Sequence, residues 1–247
     1  MTSETAPSAV GVEYEYKWRV DAAAKGWAAE HPEGGDRLVH AVLEKAAPAL
    51  GGERGEPHTF AQSALYFDTA GWQLSDSGLS LAALVNYGAM TGTGWLVLKE
   101  TVRYAGDRRD ALEVAERMPT SEISRAVARG TAAPLRRLAQ RLGPILGDIT
   151  PYGKAVQRRR KVLWRLGDGL ILGITLDSSR LTPLGGHADR GSPHWWFEIE
   201  ANSGDSRALD ALEELATAVT GVFGAAPDHE TKPQAAARLS GWTGGSP

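Results

Sequence analysis

The stretch Val12-Glu13-Tyr14-Glu15-Tyr16-Lys17-Trp18-Arg19-Val20 decides the fold. Side chains of a strand alternate between two faces, so Glu13, Glu15, Lys17 and Arg19 share one face and Val12, Tyr14, Tyr16, Trp18 and Val20 the other. The apolar face is fit for a core. The charged face either meets water, as in many antiparallel sheets, or encloses a site. Two carboxylates two residues apart on a strand have Cα atoms roughly 7 Å apart, close enough to serve one divalent cation beside a phosphate.

The same pattern returns near the far end of the chain. Trp196-Phe197-Glu198-Ile199-Glu200 puts Glu198 and Glu200 on one face, with Phe197, Ile199 and Ala201 on the other. If the two charged faces meet, four carboxylates repel one another unless a cation sits among them, and an oxygen-coordinated Mg²⁺ or Mn²⁺ is the simplest such cation. If they face bulk water, no metal is needed. In Leu170 to Asp177 the alternation sends Leu170, Leu172, Ile174 and Leu176 to the core, so Asp177 can join the acidic set.

Between these pairs lies the densest positive charge, Lys154, Arg158, Arg159, Arg160, Lys161 and Arg165. A strand here places Arg158 and Arg160 together and Arg159 and Lys161 opposite. Guanidinium forks grip phosphate oxygens in bidentate fashion, so two on one face make a polyphosphate grip. A solvated basic surface or a weak nucleic-acid patch reads equally from the run alone.

Composition limits the classes. With 247 residues, a formal charge of −3 and no cysteine, the chain has room for a sizeable core, no global attraction for nucleic acid, and no disulfide, thiolate zinc site or cysteine nucleophile. A cytoplasmic location is expected. No apolar run reaches the roughly 20 residues that span a bilayer, and Met1 to Ala9 has no signal-peptide core. No H-E-x-x-H or P-loop spacing occurs. His31, His40, His58 and His229 are scattered singly; His187, His194 and Trp195 sit beside the last strand as mouth or exposed connection. Trp18, Trp72, Trp95, Trp164 and Trp196 read as core or rim packing.

About eight strands are expected: Val12–Val20, Phe60–Asp68, Gly78–Val85, Trp95–Lys99, Ala111–Ala115, Lys154–Leu166, Leu170–Asp177 and Trp195–Ala201. Gly88, Gly92 and Gly94 mark a hairpin. Helices are expected after Asp36, from Pro119 to Leu142 with an interruption at Pro134, after Asp205 or Ser206, and over Lys232–Leu239 with Pro233 in the first turn. Strands and helices do not alternate regularly, which argues for an antiparallel α+β domain; closing the sheet would remove its edges.

Taken in order, Glu13-x-Glu15-x-Lys17, Tyr66-Phe67-Asp68-Thr69, Gly78-Leu79-Ser80-Leu81, Trp95 to Lys99, the arginine strand, Ile174 to Asp177, Phe197 to Glu200 and Thr231-Lys232 resemble the landmarks of the CYTH domain, the triphosphate tunnel metalloenzyme superfamily. The resemblance implies an eight-stranded antiparallel β tunnel, charged inside, with helices packed outside. It implies a single domain over residues 10–242 with tails at 1–9 and 243–247. Members include inorganic, thiamine and RNA triphosphatases and class IV adenylate cyclases. Carried over, it makes Glu13, Glu15, Glu198, Glu200 and Asp177 ligands of Mg²⁺ or Mn²⁺. Lys17, Lys99, Arg109, Arg158, Arg160 and Lys232 become phosphate contacts, and Glu13, Glu15, Lys17, Arg158 and Arg160 the catalytic set.

The chain departs from the pattern at Ala82 and Leu84, where two arginines are expected, and at Ala111, where a carboxylate is expected; Glu113 fits a usual acidic position. Fewer cations weaken the grip on a long polyphosphate by roughly 1.5 to 3 kcal/mol per lost charged hydrogen bond. Ala82, Leu84 and Val97 make that side of the tunnel less polar. The expected function is therefore metal-dependent cleavage of a phosphoanhydride or phosphate ester carrying an organic group. A non-catalytic anion binder of the same fold and an ordinary inorganic or thiamine triphosphatase are the alternatives. The expected partner is a small phosphate-bearing molecule, not a membrane or nucleic acid, and a homodimer is left open.

Overall fold

A strand with one charged and one apolar face can bury both only if the sheet rolls up, apolar side out under helices and charged side in. The computed structural model describes residues 8–20, 41–42, 44–45, 50–87, 92–143, 148–167, 169–184 and 193–244. Its strands are β1 (Ser8–Arg19), β2 (Glu53–Arg54), β3 (His58–Thr69), β4 (Leu79–Tyr87), β5 (Thr93–Ala105), β6 (Arg108–Pro119), β7 (Ile149–Arg165), β8 (Ile171–Pro183) and β9 (His194–Ala201). They pair in the order β7-β3-β4-β5-β6-β1-β9-β8, and β8 pairs back to β7. The result is a closed eight-stranded antiparallel barrel, with the two-residue β2 attached to the end of β7. Closure leaves no long edge open.

The strands outrun their sequence expectations because barrel pairing continues past the apolar runs that mark them. β5 and β6, expected over Trp95–Lys99 and Ala111–Ala115, extend to a tight hairpin at Asp107. β7 reaches 17 residues.

Among the described residues, α2 (Thr120–Arg129), α3 (Ala133–Leu142) and α4 (Ser206–Phe223) lie on the outer wall. α4 lays Leu212, Leu215 and Val219 on Tyr16, Trp18, Ile174, Leu176, Phe197 and Ile199. Asp205 caps it by accepting from the Arg207 N–H at 2.9 Å, and Gly224, at φ 64°, ends it. α2 and α3 pack Ile123, Val127, Leu135 and Leu138 on Leu81, Leu96, Leu98 and Val114. The interruption expected at Pro134 falls a few residues earlier, at Gly130, whose φ of 64° ends α2, and Pro134 sits in the first turn of α3, where no amide donor is required. Val42 is helical and joins the α4 cluster; the expected cap Asp36, Leu43, and both expected tails beyond Ser8 and Gly244 lie outside the described residues. No helix among the described residues is long and apolar enough to cross a membrane.

The last helix has a different place. α5 (Lys232–Leu239) lies across one end of the barrel, where Ala235 and Ala236 pack against the inward residues Ala64, Tyr66, Ala82, Ala155, Leu181 and Trp196. A capping box closes its first turn: Thr231 accepts from the Gln234 N–H, and the Gln234 side chain accepts from the Thr231 N–H at 2.8 Å. Gly153 gives it room, since a Cβ there would stand 3.4 Å from that of Ala236. The barrel is thus a blind cup.

The Tyr66-Phe67-Asp68-Thr69 landmark has a structural role. The buried Asp68 carboxylate accepts from Thr69 N–H (2.7 Å), Leu74 N–H (2.9 Å), Ser75 N–H (3.0 Å) and Ser75 O–H (2.7 Å), turning the chain into α1 (Gln73–Asp76) and on to β4. Asp68→Ala leaves those buried donors unmatched, and urea melts are expected to show a loss of about 2–4 kcal/mol. A loss below about 0.5 kcal/mol would remove Asp68 from the determinants of this turn.

Candidate functional site

Every strand sends one row of side chains into the cup. Its cavity of about 370 Å³ is lined by Glu13, Glu15 and Lys17 from β1, Lys99 from β5, Arg109 and Glu113 from β6, Arg159 and Lys161 from β7, Glu198 and Glu200 from β9, and Lys232 from α5. Opposite this charged wall, β3, β4 and β5 contribute Phe60, Ala82, Leu84 and Val97.

Taking ionised groups out of water is unfavourable by several kcal/mol each unless they are matched, and here nearly all are matched. Lys99 pairs with Glu13 and, at 3.3 Å, with Glu113. Arg109 donates to Glu15 at 2.6 Å and to Thr101 at 2.9 Å. Lys161 donates to Glu200 at 2.5 Å. On the floor, Arg159 reaches Asp177 at 2.9 Å and Glu198 at 3.3 Å, while Lys232 binds Asp177 and, at 2.7 Å, Glu198.

Lys17 is the exception. It is 5% exposed, it faces the cavity, and its ammonium has no ion pair or hydrogen bond among the described residues. Burial pulls its pKa down; Glu15 and Glu198 oppose this from a distance, and Arg109 and Lys232 reinforce it.

The carboxylates divide sharply. Burial, reinforced by Glu15 and Glu200 and partly offset by Lys99, pushes Glu13 up to about 8. Burial also acts on Glu200, but Lys161 and a hydrogen bond from Glu13 bring it down to about 2. Glu13 and Glu200 therefore hold one proton between them at neutral pH. Glu15 is held well below the ordinary carboxylate range by Arg109, Lys99 and Lys17 against the effect of burial, and Asp177 likewise by Arg159 and Lys232.

These observations test the fit of a metal. No group of three acidic or histidine side chains among the described residues converges as a ready ion site. The Glu13–Glu200 contact, two carboxyls kept together by one proton, is nevertheless where a divalent cation can take the proton's place, and its oxygen donors suit Mg²⁺ or Mn²⁺.

Of the expected site residues, Glu13, Glu15, Lys17, Lys99, Arg109, Glu198, Glu200 and Lys232 line one cavity. Asp177 is fully buried beneath the floor, bound by Arg159 and Lys232, and is absent from the lining. Arg158 and Arg160 are a correction: they project from the outer face of β7, and the inward residues are Arg159 and Lys161. The register explains it, since Arg159 stands opposite Asp177 and Lys161 opposite Thr175, both inward on β8. A shift of one residue reverses every side chain. The clue was Val162-x-Trp164, the apolar row under α4, which shares its parity with Arg158 and Arg160.

Sequence reasoning also passed over an inward amide ladder, in which Gln157 donates to Gln62 at 2.8 Å and Gln62 to Asn86 at 2.7 Å. His194 lies at the closed end, 2.6 Å from Arg19, and Trp195 packs with the α4 cluster; His187 is outside the described residues.

No protein-family model matches the chain, and no curated protein matches its sequence. Solved structures do share its fold. A proposed adenylyl cyclase of Hippeastrum, reported to have a dominant triphosphatase activity, superposes with a TM-score of 0.56 at 16% identity, over 94% of this chain and 98% of that one. A proposed adenylate cyclase of Bacillus halodurans gives a TM-score of 0.56 at 16% identity, over 92% and 97%. A Pyrococcus horikoshii protein gives 0.50 at 14%, over 92% and 99%. The chain has the architecture of these proteins, and identities this low speak to fold alone.

Two measurements probe the geometry. Between the ordinary carboxylate value of 4.5 and about 8, folded Glu13 keeps a proton that the unfolded chain has released. Stability in chelator is therefore expected to fall as pH rises through that window and to level off above it. Thermal melts of Glu13→Gln should lack this component, and a parallel pH dependence in both proteins would refute the raised Glu13. Separately, Gly173 faces Glu200, and a Cβ there would lie 2.7 Å from Glu200 Cγ and Oε1. Gly173→Ala is expected to lose about 1–3 kcal/mol and to free Lys161 from Glu200, read from denaturant melts and the lysine's NMR titration.

Proposed function

We propose that this chain is a divergent member of the triphosphate tunnel metalloenzyme superfamily that takes a small organic phosphate into its blind lumen, phosphate end first, and cleaves a phosphoanhydride or phosphate ester there. The observation that carries this reading is Lys17, a buried ammonium with no ion pair or hydrogen bond among the described residues, in a lumen where Lys99, Arg109, Arg159, Lys161 and Lys232 are paired. An anionic oxygen on the floor supplies what it lacks.

In this reading Lys17, Arg109 and Lys232 hold the terminal phosphate at the closed end, and Arg159 and Lys161 stand along its flank. Glu13 and Glu200 hold Mg²⁺ or Mn²⁺ by giving up their shared proton, with Glu15 and Glu198 nearby as further oxygen donors. When bound, such an ion supplies neutralisation of phosphoryl oxygens and a polarised water. The protein's own cations stabilise charge on the leaving phosphate, and no side-chain nucleophile is required. Phe60, Leu84 and Val97 receive the organic part, which favours a substituted phosphate over an inorganic chain.

One observation favours a second reading, a binder of the same fold without turnover: the carboxylates are matched to lysines and arginines, and no three of them stand ready around an ion. Phosphate release across inorganic tripolyphosphate and organic di- and triphosphates, with Mg²⁺ or Mn²⁺, separates the two. Release from organic substrates that is lost in Glu13→Ala supports the enzyme; calorimetric binding without release supports the binder; release that survives Glu13→Ala discards the metal assignment. Lys17→Met is expected to weaken pyrophosphate binding by about 10- to 150-fold, the equivalent of one charged hydrogen bond of roughly 1.5 to 3 kcal/mol. Saturating Mg²⁺ should flatten the Glu13-linked pH dependence of stability, a readout independent of turnover.

A further inference from the structure

The arginines that miss the lumen are not idle surface. The outward row of β7 reads Lys154, Val156, Arg158, Arg160, and the register with β8 sets Arg180 directly beside Val156. Lys154, Arg180, Arg158 and Arg160 therefore form a nearly straight file with steps of about 7 Å. Lys154, Arg158 and Arg180 are exposed, and none of the three has an ion pair among the described residues. Arg160 donates to Thr59 at 3.2 Å.

Of the other surface arginines, Arg137 and Arg141 pair with Glu100, Arg103 and Arg108 with Asp110, and Arg238 with Glu230, while Arg125, Arg129 and Arg165 have no such pair among the described residues. Along this stretch the outward residues of β3 and β8 are Thr59, Ala61, Ser63, Ser178, Arg180 and Thr182, with no acid among them. The file runs in a depression of about 640 Å³ floored by Val156, 51% exposed, and bounded by Phe60 and Pro193. Among the described residues α2 and α3 pack on β5 and β6, and α4 packs on β9 and on the Val162–Trp164 and Leu172–Leu176 stretches of β7 and β8, so none of these three helices lies over Lys154 to Arg158.

We propose that this groove binds the backbone of a single-stranded nucleic acid. A file of cations at even spacing, of which Lys154, Arg158 and Arg180 have no ion pair among the described residues, interleaved with hydroxyl donors, matches a regularly charged polyanion, and the apolar floor suits bases splayed from one strand. A compact acidic ligand needs convergent cations, which a straight file does not supply. The chain's net charge of −3 makes the attraction local to this face. The proposal uses none of the lumen residues and stands apart from the phosphate-cleaving reading.

Fluorescence anisotropy of a labelled oligothymidylate, titrated with the full chain at increasing salt, tests it. With three to four phosphates neutralised, log K against log salt should have a slope of about −2 to −3, and Arg158→Ala/Arg180→Ala should reduce its magnitude by about 1.4. Thermal melts should be unchanged by the double substitution, and Arg137→Ala should leave binding as it was. Absence of binding at low salt, indifference to the double substitution, or an equal loss in Lys17→Met, which would move binding into the lumen, each overturns the proposal. Retention on phosphatidylserine vesicles without oligonucleotide binding also overturns it, in favour of a lipid surface.

Discussion

Charge matching inside a closed barrel is the constraint on which the rest depends. Rolling the sheet brings the charged rows of β1, β5, β6, β7 and β9 into a space with little water, where an unmatched ion destabilises the fold by several kcal/mol. The lumen answers with pairs drawn from strands far apart in sequence, such as Lys99 with Glu13 and Lys161 with Glu200. Charge pairing thus follows strand pairing, because these pairs join strands that flank a common neighbour, β5 and β1 about β6, and β7 and β9 about β8. Among the described residues, Lys17 and the proton shared by Glu13 and Glu200 are places where the matching is incomplete.

The C-terminal helix converts a tunnel into a cup. Its alanines need an apolar surface, and the small inward residues at one barrel end, Ala64, Ala82 and Ala155, provide it. Its first residue then carries Lys232 to Asp177 and Glu198, so the helix contributes a cation to the floor as well as a wall. Asp177 shows the complement of this arrangement. Fully buried and held by Arg159 and Lys232, it fixes two cations in place.

The lumen is also lopsided. Phe60, Ala82, Leu84 and Val97 line the cavity alongside Gln62, Tyr66 and Ser80, so the β3–β4 side carries no ionised group where β1, β6, β7 and β9 carry many. β7 adds a second asymmetry, since its inward Arg159 and Lys161 serve the cup while Lys154 and Arg158 are exposed on the outer wall.

The amino-acid sequence by itself determined the strand character of Val12–Val20 and Trp195–Ala201, the charged face of each, and the capped helices after Asp205 and Thr231. These depend on periodicity and local hydrogen bonding, which neighbouring residues settle among themselves. An antiparallel sheet was legible from strands and helices that do not alternate regularly, whereas its closure was implied by the resemblance to the CYTH landmarks, since the charged faces alone suit bulk water as well as a common interior. The facing of the arginine run was not legible from the run. In Arg158-Arg159-Arg160-Lys161 both parities are basic, so composition cannot choose, and only pairing with Asp177 and Thr175 on β8 makes Arg159 and Lys161 inward. The partner of each lumen charge, the helix across the barrel end and the isolation of Lys17 were likewise decided by tertiary structure, because each is a relation between residues that only the closed barrel brings within reach.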